Sequence, residues 1–399
     1  MNVGVVAPQS SHWEDSRRAA AVLVKAFRRL GHSAWLVTSL FHEGVPALDP
    51  DLVEKSEAGF VEVEKDVSGV PTIRVLSTKP LLPTGAVALR NFSRVLGEAA
   101  DSYGLDAVVV LSSFWNGPEE AARWAAVRRT LAAAGEAVRR TPLVYIPIYF
   151  TKFHATRPVD YASKVMWSTL NLPFILRQAD LLVVCCPQEA AELRQFRTPP
   201  EKILISSNWI DPDVAEALDS TPAAPPGGFE YVISYIGPLR GDRNVHLFVK
   251  IADKLKTAAV VVAGAGEAAD ELRQEAKVRR NLVFVGSHEP QVLASVIKSS
   301  VAGVDFSSYE PMGVRALEYM YAGVPFAASP NSKAAWYVAN GVDGIHLNRP
   351  EAVDEFLTWV EMLVKRPEVR DEMGRKAKRK AAGLTADKLA AAIIERISS

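Results

Sequence analysis

Short apolar runs rich in β-branched residues alternate along this chain with longer stretches of helical period. The first half holds NVGVVA (2–7), SAWLVTS (33–39), AVVVLSS (107–113), PLVYIPI (142–148), LLVVCC (181–186) and KILISS (202–207). Several are apolar almost throughout, the pattern of strands buried on both faces of a parallel sheet. Residues 14–30 read as a helix that stops at Gly31, a glycine at the usual C-terminal position. Strand, helix and strand in that order predict right-handed βαβ units and a doubly wound α/β domain.

The rhythm pauses at DSTPAAPPGGF (219–229), whose prolines and glycines are linker chemistry. It resumes with YVISYIG (231–237), AVVVAG (259–264), NLVFVG (281–286), VAGVDF (301–306) and VPFAAS (324–329), a second sheet of similar style. The expected division is a first Rossmann-like domain over 1–212, a linker over 213–229 and a second Rossmann-like domain over 230–380. An amphipathic helix within 381–399 is expected to pack back on the first domain. Two such domains facing across a cleft, each with its strand C-termini toward the gap, place ligand sites there.

Composition narrows the function classes. At 399 residues the chain is long for one core. Acidic and basic residues balance at 46 each, so no global field favours nucleic acid. The two cysteines, Cys185 and Cys186, are neighbours and read as buried thiols at a strand end, which suits a reducing compartment. The start MNVGVVAPQ lacks the features of a signal peptide, and no uncharged apolar run reaches the roughly 18 residues of a membrane span. A cytoplasmic location is the expectation. Basic residues at Arg17, Arg18, Lys25, Arg28 and Arg29, and at Arg375, Lys376, Lys378, Arg379 and Lys380, allow peripheral contact with an anionic membrane.

The most informative stretch is DFSSYEPMGVRALEYMYAGVPFAAS (305–329). A strand ends near Phe306, a loop carries Glu310, and Pro311 opens a helix that ends at Gly323. The N–H groups of Met312, Gly313 and Val314 at that helix start are expected to be free and to form a diphosphate site. Glu310 lies just before it and Glu318 about two turns in. Carboxylates bind sugar and ribose hydroxyls well, so the pair suits a nucleotide sugar better than a bare nucleotide.

This segment resembles the signature of retaining GT-B glycosyltransferases, glycosyltransferase group 1. The matching residues are Ser307, Glu310, Gly313 and Glu318, followed by Met320, Gly323 and Pro325. The Glu-Pro-x-Gly form is also similar to glycogen synthases and sucrose-phosphate synthases of the same clan. The resemblance implies the GT-B fold, a donor-sugar contact for Glu310 and a ribose contact for Glu318. SYIGPLRGDRNVHLFVKIADKL (234–255), VVVAGAGEAADEL (260–272) and NLVFVGSHEPQVLASVIKSS (281–300) resemble the family's supporting turns, which adds Gly237, Gly264, Gly286 and His288 to the donor side. The likeness covers nearly all of 178–345 and the first 150 residues only loosely.

Departures bear on the chemistry. Pro238 stands where the family has an arginine, and Arg243 takes the place of the usual lysine. The implied pyrophosphate clamp is therefore Arg243 with Arg240. The first loop, APQSSHWEDS (7–16), lacks the family's paired glycines, which disfavours a glycogen-like acceptor. His12 and Trp13 are its candidates for the acceptor side, Trp13 through sugar stacking, and His154 is a candidate for the sugar site.

The function implied is retaining transfer from a nucleotide-diphosphate sugar to a sugar or lipid-linked acceptor by same-face displacement. The departing diphosphate is stabilised by cations and the helix start, with no metal and no cofactor required. Asp211-Pro212-Asp213 spells Asp-x-Asp and reads as a turn. A phosphorylase or a nucleotide-sugar epimerase on the same fold, or an inactive nucleotide-sugar-binding scaffold, are alternatives. Gly264 to Ala269 also fits the dinucleotide fingerprint G-x-G-x-x-A, but the next strand ends in Gly286-Ser287 without the acidic residue that fingerprint needs.

Overall fold

The computed structural model describes residues 1–8, 14–42, 45–64, 69–78, 88–149, 158–206, 208–286 and 289–399. They form two compact units. The first takes Met1–Thr151, Ala155–Ser206 and Ala386–Ser399, and the second takes Ser207–Thr385.

The first unit is built on an eight-stranded sheet. From one edge its order is Ile203–Ile205, Leu181–Val184, Leu143–Ile146, Ala107–Leu111, Asn2–Val6, Ser33–Ser39, Thr72–Val75 and Phe60–Val63. Neighbours are parallel except for the last pair. The helix Glu14–Arg29 buries Ala20, Leu23, Val24 and Phe27, the spacing of one helical face. It ends where Gly31 turns left-handed, with Gly31 N–H donating to Arg28 and His32 N–H to Phe27, which satisfies two end carbonyls. The helix Ala386–Ser398 packs beside it through Leu389, Ala390 and Ile393, with an ion pair between Arg29 and Asp387 at 2.5 Å.

The second unit has a six-stranded, wholly parallel sheet. Its order is Leu282–Val285, Ala258–Ala263, Tyr231–Ile236, Ser300–Asp305, Phe326–Ala328 and Gly344–His346. From Tyr231–Ile236 the chain winds outward to one edge, then returns to the other side with Ser300–Asp305. That reversal is the topological switch point, where the C-terminal ends of two adjacent strands diverge and leave a crevice.

The expected linker is corrected at its start. Residues Pro212–Ser220 form a helix of the second unit, capped by Asp211, whose Oδ1 accepts the Asp213 N–H at 3.0 Å. Asp-Pro is a strong helix opener and outweighs the approach of the proline-rich stretch, which begins only at Thr221. The strands Phe60–Val63, Thr72–Val75 and Gly344–His346 were not among the expected ones. FVEV and TIRV carry charges mid-strand and GIH is three residues long, so none shows the apolar run that marks the others.

Candidate active site

The crevice at the switch point of the second unit is closed by two loops, each leaving a strand at its C-terminal end. After Tyr231–Ile236 the chain runs through Gly237, Pro238 and Leu239 into a single tight turn, Gly241–Arg243. That turn stops at Asn244, in the left-handed conformation that asparagine tolerates. Its side chain donates to the Phe306 carbonyl at 2.9 Å and to Ser308 Oγ at 3.1 Å. Ser308 N–H in turn donates to the Asp242 carbonyl at 2.8 Å. The two loops are thereby stitched together, and Arg243 points under the second.

Arg243 is 3% exposed. Its Nη1 reaches Ser307 Oγ at 3.2 Å, the Tyr309 carbonyl at 3.1 Å and Glu310 Oε2 in a close ion pair. Burial works against its charge, but Glu310, and after it Tyr235, Asp242 and Asp305, raise its pKa above the ordinary arginine value. Ser307 is held by Asp305, which accepts both its N–H and its hydroxyl. The Glu310 backbone pairs with a second turn, its N–H on the Asn331 carbonyl at 3.1 Å and its carbonyl accepting from Lys333 N–H at 2.9 Å.

The helix Val314–Tyr321 begins at Gly313, whose φ of 67° is left-handed. A Cβ there would stand 2.5 Å from the Ala334 nitrogen, so any other residue would push the helix start off the neighbouring turn. The expectation that the Met312 and Gly313 N–H groups are free is corrected. Glu310 Oε1 accepts both, at 2.8 and 3.0 Å. A carboxylate just before a helix is a good partner for orphan N–H groups, because its charge also suits the helix dipole. Glu318 is buried, and both its oxygens accept from Arg315 Nη1. Arg243, Ser307, Glu310, Gly313 and Arg315 line one narrow recess of about 20 Å³ together with Gly237 and Pro238.

Other expected residues have different surroundings. Arg240 does not line the recess. Asp242 holds it in a two-point pair at 3.0 and 2.9 Å, a short-range partner that outweighs the place left open by Pro238. Gly264 is fixed by backbone packing, since a Cβ would lie 1.9 Å from the Gly237 carbonyl oxygen. Its N–H is shared between the carbonyls of Val285 and Gly286, each at 3.2 Å. The N–H groups of Ala268 and Ala269 go to Leu239 and Gly266, so these two donors of the dinucleotide-like turn are used within the protein. His12, Trp13, His154 and His288 lie outside the described residues. Of the basic clusters, Arg29 pairs with Asp387, Arg375 and Lys376 with Glu372, and Lys380 with Asp343. Among the described residues no helix is long and apolar enough to cross a membrane.

Sequence reading missed Arg315, Asp305 and Asn244. Arg315 precedes Glu318 by three positions, which is helix-neighbour spacing and a usable signal. Asp305 at a strand end and Asn244 after a short turn carried no pattern of their own.

A parallel sheet whose switch-point crevice gathers a helix start, a buried arginine and acidic side chains has the architecture of a GT-B domain, and comparison with known proteins agrees. The family model for glycosyl transferases group 1 matches residues 224–380, and that for the glycosyl transferase 4-like domain matches residues 16–209. The chain thus joins a glycosyl transferase 4-like domain to a glycosyl transferases group 1 domain, on a fold of GT-B type. It is 28% identical over 163 residues to an uncharacterized glycosyltransferase of Methanocaldococcus jannaschii, covering 38% of this chain and 42% of the relative. It is 27% identical over 184 residues to a glycogen synthase of Mycobacterium tuberculosis, covering 43% of this chain and 42% of the relative. The matches thus span less than half of each curated relative. In fold it is similar to sucrose-phosphate synthase from Thermosynechococcus elongatus, with a TM-score of 0.69 at 15% identity over 99% of this chain and 98% of the other. HepE of Anabaena, solved in complex with UDP, gives 0.67 at 14% identity over the whole of both chains.

Proposed function

We propose that this protein transfers a glycosyl group from a nucleoside-diphosphate sugar to an acceptor hydroxyl, with retention at the anomeric carbon and without a metal ion. The observation that carries this reading is the buried Arg243 beside the start of the helix Val314–Tyr321. A guanidinium and a helix N-terminus converging on one recess suit a diphosphate, and they stabilise the charge that grows on it as the glycosidic bond breaks. Low solvent access strengthens that effect, because water does not screen it. Glu318, fixed by Arg315, offers an acceptor for ribose hydroxyls. Glu310 is the group nearest the reacting sugar. Cations and a helix start that stabilise the leaving phosphate support same-face displacement, with that phosphate taking the acceptor proton.

UDP sugars are the first donors to test, since similar folds were solved with UDP and UDP-glucose. A sugar or a lipid-linked hydroxyl is the proposed acceptor class. The decisive experiment offers UDP-, GDP- and ADP-sugars with a panel of acceptors and reads the product anomer by NMR. A product with the donor's anomeric configuration supports the reading. Inversion overturns the stereochemical part, and no binding of any of the three nucleotides overturns the donor reading altogether.

A further inference from the structure

The diphosphate site is already occupied by a part of the protein. Glu310 Oε1 sits on the Met312 and Gly313 N–H groups at 2.8 and 3.0 Å, and Oε2 sits on Arg243. These are the donors that the proposed function assigns to the diphosphate. A carboxylate in this position satisfies two N–H groups and one guanidinium as a phosphate would. It does so incompletely: Arg243 lines the same recess, and its buried Nε has no hydrogen-bond partner among the described residues. The room left, about 20 Å³, fits one water and not a phosphate.

On the strength of that donor reading, we infer that donor binding is an exchange, in which the diphosphate displaces the Glu310 carboxylate from the helix start and from Arg243, and only the displaced Glu310 reaches the transferred sugar. Glu310 then acts twice. In the empty site it competes with phosphate for the same donors. In the filled site it accepts from sugar hydroxyls, so the cost of displacing it is offset when a sugar is present. A free nucleoside diphosphate must displace the same carboxylate and gives it only water in return. The exchange therefore favours sugar-bearing donor over spent nucleotide, and the return of Glu310 to the helix start speeds release of the product after transfer.

The test is calorimetric titration of UDP and UMP into the wild-type chain, Glu310→Ala and Glu310→Gln, with GDP and ADP pairs in parallel. Glu310→Ala should bind the diphosphate more tightly than wild type by about tenfold or more, the worth of one charge-assisted hydrogen bond. Monophosphate affinity should stay unchanged, because it leaves the contested donors unused. Glu310→Gln, which can still accept from the two N–H groups but carries no charge, should fall between; it decides the matter if the alanine variant does not fold. Equal or weaker diphosphate binding by folded variants overturns the exchange and leaves the donor reading intact. Absence of binding by wild type and variants alike overturns both.

Discussion

Glu318 gives both carboxylate oxygens to a single nitrogen of Arg315, at 2.9 and 2.7 Å, although only 2% of its side chain reaches solvent. The spacing of three residues brings them together on one helix face. Arg315 is the more exposed partner and lines the recess, so the pair fixes where the carboxylate points. Arg315→Ala leaves a buried charge without that counter-ion. The expected cost is about 1.5–3 kcal/mol, read as a lower Tm in thermal unfolding. An unchanged Tm would show that the pair does not hold Glu318.

Glu318→Ala tests the ribose contact separately. Loss of a charge-assisted hydrogen bond should weaken nucleoside diphosphate binding by about 1.5–3 kcal/mol, or roughly ten- to a hundredfold. Inorganic pyrophosphate binding should not change, because it carries no ribose. A parallel loss of both in titration would mean that the helix start itself had moved.

Arg243→Lys keeps a positive charge and removes the fork. Arg243 Nη1 lies beside Ser307, the Tyr309 carbonyl and Glu310 together, and a lysine of different length and shape would set its charge at another point. Transfer rate should fall by about 10²–10³, as for removal of one positioned donor to a developing anion. Comparing kcat with KM separates this from weaker binding, since the effect should sit mainly in kcat.

Much of the second unit was legible because buried parallel strands announce themselves. YVISYI and AAVVVA are apolar with almost no interruption, and the Glu310 to Glu318 spacing survives as a linear motif. Phe60–Val63 and Gly344–His346 were silent because FVEV carries a charge mid-strand and GIH is too short to form an apolar run. Within the site, sequence placed Arg243, Glu310, Gly313 and Glu318 in one neighbourhood. It could not place Arg240, whose partner Asp242 is two residues away and captures it locally. Nor could it show that Glu310 turns back onto Met312 and Gly313, since that depends on the loop being braced by Asn331 and Lys333.

Chelation addresses the metal question. If Arg243 and the helix N-terminus hold the diphosphate as proposed, EDTA should leave transfer unchanged in an assay with each donor. Among the described residues, the group of Cys185, Cys186 and Glu189 brings metal-type ligand atoms within 4.8 Å of one another, but it lies in the first unit. The Glu189 carboxylate there accepts the N–H groups of Tyr149 and Cys185 at 2.6 and 2.9 Å, a structural use of its oxygens. A complete loss restored by a divalent ion would overturn the metal-free mechanism.

The C-terminal helix offers a contrast between charge and packing on one surface. Arg29 and Asp387 make a close pair, yet their side chains are 40% and 42% exposed. Such pairs are screened and carry side-chain entropy, so Arg29→Ala should cost under about 1 kcal/mol. Leu389 lies on the same helix, 2% exposed in the core of the first unit. Leu389→Ala removes buried methyl groups and leaves a cavity, at an expected cost of about 2–5 kcal/mol. Denaturant unfolding of the two variants, followed by tryptophan fluorescence, should rank them in that order, with added salt shrinking only the smaller effect. A reversed order would mean that the helix is held by its charges and not by the apolar face it turns toward Glu14–Arg29.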